Sequence, residues 1–234
     1  MQVASKHPLW CEPIPAGQTV LVVRASAASM TAFIKGGDLA PGSKEVTINW
    51  GDGTKQKVPR FDALTHTYSS PREYRVVISD DLQSFAYRGG DTDEQGQMLA
   101  EMLSAGTKIK SIPSYGFNHC RSMRGKMEFP GVTSIGGYAF GSLGGVTELS
   151  FPSLTRLSQT AFYWGPSATT MYADRVTGID SQFWGYYGGR LVDLYIRGKT
   201  RSQIKAMSGF PFKAGASVRF HGSDGIVLGN GQFV

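Results

Sequence analysis

Residues able to do covalent or metal chemistry occur in this chain, but not at the spacings such chemistry requires. The four histidines, His7, His66, His119 and His221, lie far apart, and none belongs to an H-x-x-x-H or H-E-x-x-H pattern that would aim two imidazoles at one ion. Cys11 and Cys120 form neither a CxxC pair nor a disulfide framework and read as free thiols. In "HGSDG" His221, Ser223 and Asp224 are near neighbours in a turn, which cannot supply the geometry of a triad gathered from separate elements. From Thr107 onward the only carboxylates are Glu128, Glu148, Asp174, Asp180, Asp193 and Asp224. No nucleophile elbow, phosphate-binding loop or dinucleotide fingerprint is present. We therefore expect no enzyme, no catalytic or metal site and no cofactor.

Surface recognition is the remaining chemistry. "YWGPS" and "WGYYGG" carry Tyr163, Trp164, Trp184, Tyr186 and Tyr187, rings that could stack on sugars or anchor a protein partner. The alternative is that Trp164 and Trp184 pack between neighbouring units as staples.

A repeat must position these groups. Met127-x-Phe129-Pro130-x-Val132-x-x-Ile135 is followed by Leu149-x-Phe151-Pro152-x-Leu154-x-x-Leu157, then by Met171-x-Ala173-Asp174-x-Val176-x-x-Ile179, a period of 22 residues. Each unit runs on to a phenylalanine, at Phe140, Phe162 and Phe183, with an earlier half-copy ending at Phe117 and a truncated copy from Leu191. Strand side chains alternate faces, so Met127 and Phe129 point inward while Lys126 and Glu128 point out. One unit cannot cover its own apolar face, so the units must stack. Stacking predicts an outward column of Glu128, Ser150, Tyr172 and Tyr195, with Lys126, Glu148, Thr170 and Asp193 in a second column beside it.

Flanking segments complete the expectation. Thr200 and Gln203 stand at capping-box spacing before Ile204 and Met207, predicting a short helix. Asp-Gly and Asn-Gly turns in "ASVRFHGSDGIVLGNGQFV" predict a hairpin, and helix and hairpin together would cap the stack. Asp91, Thr92 and Gln95, with Met98, Leu99, Met102 and Leu103 on one face, predict a linking helix over 91–105. Before it, "TVLVVRAS", "EVTINWGDGT" and "YRVVIS" read as short strands of a sandwich. Asp52 precedes Gly53 without the alternating oxygen ligands of a calcium loop and reads as a turn residue.

At "IPSYGFNHC", "IGGYAF" and "LSQTAF" the chain resembles the BspA-type, or Treponema-type, leucine-rich repeats, over residues 107–197. That resemblance places Cys120 at a small, buried position. "INWGDGT" with "HTY" and Tyr74-x-Val76 resembles a PKD-like immunoglobulin-type domain. The expected fold is mainly β: a PKD-like sandwich over 1–90, a linking helix over 91–106, and a leucine-rich repeat solenoid with a C-terminal helix-hairpin cap over 107–234.

The resemblance implies a binding or adhesion protein of the cell surface, engaging a host, cell-surface or mucosal protein or glycan, or else a structural or receptor-binding component of a phage virion. No membrane insertion is expected, since no run of about 18 apolar residues occurs. The N-terminus lacks a secretory pattern, so either export does not use a signal or a signal has been removed. From Thr107 on there are 14 basic and 6 acidic residues, which raises acidic glycans as a ligand class. The basic residues are scattered, and nucleic acid is not expected.

Overall fold

The computed structural model describes residues 12–59, 63–87, 93–158, 160–163, 165–180, 183, 191–210 and 218–234. The chain is mainly β with few helices, and its second half is a solenoid of about four turns.

The first half contains β1 (Thr19–Arg24), β2 (Met30–Ile34), β3 (Val46–Asn49), β4 (Lys55–Val58), β5 (Leu64–Tyr68) and β6 (Glu73–Ile78). After them come α1 (Asp93–Met98) and β7 (Leu99–Ser104). A five-stranded antiparallel sheet runs β4-β3-β6-β1-β7, and β2 pairs with β5 in a second sheet. The apolar alternation of β3 and β6 sends Val46, Ile48, Tyr74, Val76 and Ile78 into one core.

The residues shared with the PKD-like pattern build a single polar-aromatic network. Trp50 stacks on His66 at 4.7 Å, and Tyr68 stacks on Tyr74 at 3.9 Å. Tyr68 Oη donates to the Trp50 carbonyl at 3.1 Å, and Trp50 Nε1 donates to Gln56 at 2.7 Å. Burial, aided by the Asp52 charge, holds the Tyr68 phenol far above its usual range, so it remains a neutral donor. Asp52 accepts from the Thr54 N–H at 2.9 Å and faces His66 Nε2 at 2.7 Å, the turn role expected for it. Partial burial pushes the Asp52 carboxyl upward, but these hydrogen bonds outweigh it and the net shift is downward. Gly51 has φ +83°, and a Cβ there would lie 2.6 Å from the Arg75 carbonyl, so only glycine fits this turn.

The predicted linking helix is corrected by the structure. Helix covers only Asp93–Met98, while Leu99–Ser104 is a strand closing the open edge of β1. The register shifts on either side of Glu101, leaving Ala100 and Leu103 without direct partners. Such bulges let Leu99 and Met102 both reach the core although they are three residues apart. Spacing of three therefore imitated a helix face, and pairing with a fully buried strand won over local propensity. Asp91 and Thr92 lie outside the described residues.

The solenoid has two strand-bearing sides. On one, β9 (Arg124–Glu128), β11 (Gly145–Ser150), β13 (Thr170–Tyr172), β15 (Asp193–Tyr195) and β16 (Arg219–Gly222) run parallel, and β17 (Gly225–Leu228) turns back antiparallel at the end. On the other, β8 (Ser111–Ile112) pairs with β10 (Ser134–Ile135), and β12 (Arg156–Leu157) with β14 (Gly178–Ile179). Met127, Leu149, Met171, Leu194 and Phe220 occupy one buried row. Phe129 stacks on Phe151 at 5.4 Å and 4°, and Ala173, also fully buried, takes the same place in the next layer. Phe117, Phe140 and Phe162 form a second ladder with steps of 5.6 and 5.5 Å. Cys120 is fully buried, its thiol donating to the Tyr87 carbonyl at 3.3 Å. Cys11 lies outside the described residues.

Both ends of the stack are closed. Ser84 bridges to Ser111 and Phe85 meets Phe117 edge-on, so the apolar core runs from the first half into the solenoid without a break. At the far end, α2 (Arg201–Lys205) carries the expected capping box: Gln203 N–H donates to the Thr200 side chain, and the Gln203 side chain accepts from the Thr200 N–H. The β16–β17 hairpin then covers the last layer, with Phe233 bridged back to Val227.

Candidate binding faces

Parallel register makes the outward columns real neighbours, because strands in one sheet lie about 4.8 Å apart. Glu128 pairs with Ser150, Ser150 with Tyr172, Tyr172 with Tyr195, and Tyr195 with His221. The last three form a continuous stack, Tyr172 to Tyr195 at 4.7 Å and Tyr195 to His221 at 4.2 Å. Sequence reading placed Glu128, Ser150, Tyr172 and Tyr195 in this column but missed His221, which it assigned to the turn. The signal was there: His221 alternates with the inward Phe220, as Tyr195 does with Leu194.

The second column runs Lys126, Glu148, Thr170, Asp193 and Arg219. Lys126 binds Glu148 at 2.9 Å, and Arg219 grips Asp193 with two hydrogen bonds of 2.6 and 2.7 Å. His221 Nε2 shares Asp193 Oδ1 at 2.6 Å. At the strand ends, Arg197 and Asp174 form a second two-point ion pair. For Asp174 and Asp193 alike, desolvation raises the carboxyl pKa, but the bonds from Arg197, and from Arg219 with His221, outweigh it and leave both below the usual range. Arg197 and Arg219 are thus each paired with an aspartate, while Arg124, at the start of β9, is exposed.

A second aromatic row lies at the corners beside the phenylalanine ladder. Tyr115 and Tyr138 stack in parallel at 5.1 Å, and Tyr163 meets Tyr138 edge-on at 5.1 Å. Tyr115 and Tyr138 sit at φ +61° and +59°, left-handed conformations uncommon for bulky residues, and Thr160 repeats the conformation one turn later. Tyr163 is the one residue of the predicted loop edge that the structure describes. Trp164, Trp184, Tyr186 and Tyr187 lie outside the described residues. Tyr115 and Tyr138 were missed, although "SYGF" and "GYAF" place a tyrosine two residues before the phenylalanine in both units.

Among the described residues no group of three His, Cys, Asp or Glu side chains is placed to hold a metal ion, and no helix is long and apolar enough to cross a membrane. A cleft of about 650 Å³ lies where the β1–β2 turn meets α1 and Ser122. Its charged lining residue, Arg24, is paired with Glu73. No protein-family model, curated protein or solved structure matches this chain.

Proposed function

We propose that this is a non-catalytic binding protein of the BspA-type leucine-rich repeat kind, with a PKD-like sandwich at its N-terminus, which engages a cell-surface or mucosal glycan or protein through the repeat half. One observation carries the proposal: Tyr172, Tyr195 and His221 form an ordered, half-exposed stack on the strand face, flanked by paired charges. Side chains there add nothing to the solenoid core, which is complete beneath them in Met171, Leu194 and Phe220. Aromatic groups set in a rim of fixed hydrogen-bonding residues are the composition of binding hot spots. The 22-residue repeat and the paired phenylalanine ladders support the family reading, and the Trp50–His66–Tyr68 network supports the PKD-like one.

The test is a Tyr172→Ala, Tyr195→Ala double variant compared with the parent on a glycan array and on immobilised mucosal and cell-surface protein. We expect at least a tenfold loss of binding with folding retained by circular dichroism. Unchanged binding by the double variant would remove the strand face from consideration. A stable oligomer in solution that buries this face would favour the virion-assembly alternative.

A further inference from the structure

The aromatic stack stops two strands short of the end of its column. Tyr172 shows one ring face to Tyr195; the other looks toward β11, where the residue in register is Ser150. Arg197 does not cover that face. Its guanidinium carbon lies 5.1 Å from the Tyr172 ring centre and 6.0 Å from that of Tyr195. A cation on the far side of Tyr172 would be a further ring spacing from Tyr195, so Arg197 stands beside the stack, tied there by Asp174. In register between Tyr172 and Glu128 stands Ser150, whose side chain is too small to cover a ring face, which leaves room for a notch there.

The rim of the notch supplies both a donor and an acceptor. Glu148 lies two residues before Ser150 on the same strand, and Lys126 is bonded to it at 2.9 Å. The Lys126 ammonium is pushed above its usual range chiefly by Glu148, with smaller contributions from Tyr172 and Glu128, which places it among the groups bordering the notch. Glu128 is exposed and makes no hydrogen bond among the described residues.

We infer that this notch is a subsite for a neutral pyranose ring. The inference rests on the binding role proposed above and narrows it to one ligand class. The C–H face of a sugar would lie on the open face of Tyr172 in the place of the missing aromatic residue. Adjacent hydroxyls would donate to the Glu148 and Glu128 carboxylates and accept from the Lys126 ammonium. Lys126 is neutralised by Glu148 and Glu128 opposes a uronate or sialate, and the donors and acceptors of the rim match the hydroxyls of an uncharged polyol.

The decisive experiment fills the notch instead of breaking its wall. Titrations of the full chain followed by ¹H–¹⁵N NMR would use methyl hexosides and their β-linked disaccharides, with glucuronate and N-acetylarginine amide as charged comparators. We expect the hexosides to shift the Ser150 and Tyr172 amides, and the Kd to rise at least tenfold in Ser150→Tyr, whose melting temperature should not fall because the added ring extends the stack. Lys126→Met should weaken the same sugars several-fold. Absence of hexoside shifts, equal binding by Ser150→Tyr, or a response to a charged comparator alone would each overturn the subsite. If these fail while the Tyr172→Ala, Tyr195→Ala variant still loses its ligand, the face binds by other means. If that double variant also binds normally, both proposals fall.

Discussion

Aromatic side chains hold both halves of this protein together, by opposite strategies. In the N-terminal half, Trp50, His66, Tyr68 and Tyr74 each meet a different neighbour, and the cluster is tied by hydrogen bonds from Tyr68 to Trp50 and from Trp50 to Gln56. In the solenoid, Phe117, Phe140 and Phe162 repeat one contact with almost the same spacing. A unique network specifies every member, whereas a ladder specifies only volume and position. That fits the exchange of Met for Leu between repeats, and even of Phe151 for Ala173, whereas Trp50, His66 and Tyr68 each make contacts peculiar to that side chain.

Substitutions can break or sharpen this contrast. The largest effect should come from Phe140→Ala in the middle of the ladder, since Phe140 touches Phe117, Phe129, Phe151 and Phe162. Urea unfolding followed by far-UV circular dichroism should show a loss of about 3–5 kcal/mol. Phe162→Ala should cost a similar amount, and a wide difference between the two would argue against equivalent layers. Gly51→Ala comes next: with φ +83° and a Cβ clash against Arg75, it should lower stability by about 1–3 kcal/mol in the same assay, although it removes no contact.

Tyr68→Phe would probe the network at finer grain. Losing the donor to the Trp50 carbonyl should cost about 1 kcal/mol, visible as a lower urea midpoint with unchanged slope. An effect near zero would mean that shape alone, as in the ladder, holds the first half together.

The smallest effect concerns acid. Asp52 in the first half and Asp174 and Asp193 in the second all have carboxyl pKa values below the usual range. Because the folded pKa lies below the unfolded value of about 3.9, their contribution is full above that pH and is lost as pH falls through the folded value. Melting temperature should therefore drop as the pH falls below about 4. Asp193→Asn should cost a few tenths of a kcal/mol at neutral pH, about what an exposed ion pair contributes, and should make that acid drop shallower. A steeper drop in the variant would contradict the pairing of Asp193 with Arg219 and His221.

Much of the solenoid was legible because its information is local and periodic. The 22-residue spacing gave the inward rows and two outward columns, the Thr200 and Gln203 spacing gave the capping box, and the Asp-Gly and Asn-Gly turns gave the closing hairpin, each of which depends on residues within a turn or one repeat of each other. The alternation that places His221 in the outward column was also local; it was visible in Arg219, Phe220 and His221 but outweighed by the neighbouring Asp-Gly signal.

What the amino-acid order determined by itself is the mainly β character, the repeat and the identity of the side chains each layer turns outward, since a period of two within strands and of 22 between them fixes direction without reference to anything distant. Tertiary structure alone decided that Leu99–Ser104 would be a strand, that one core would join the two halves, and that an open ring face would stand over Ser150. Each of these depends on which distant segment supplies the missing neighbour: the unpaired edge of β1 drew in a segment of helical spacing, and the notch exists only because β11 and β13 lie side by side. Burial and hydrogen-bond completion are properties of the assembled pair, and neither partner's sequence contains them.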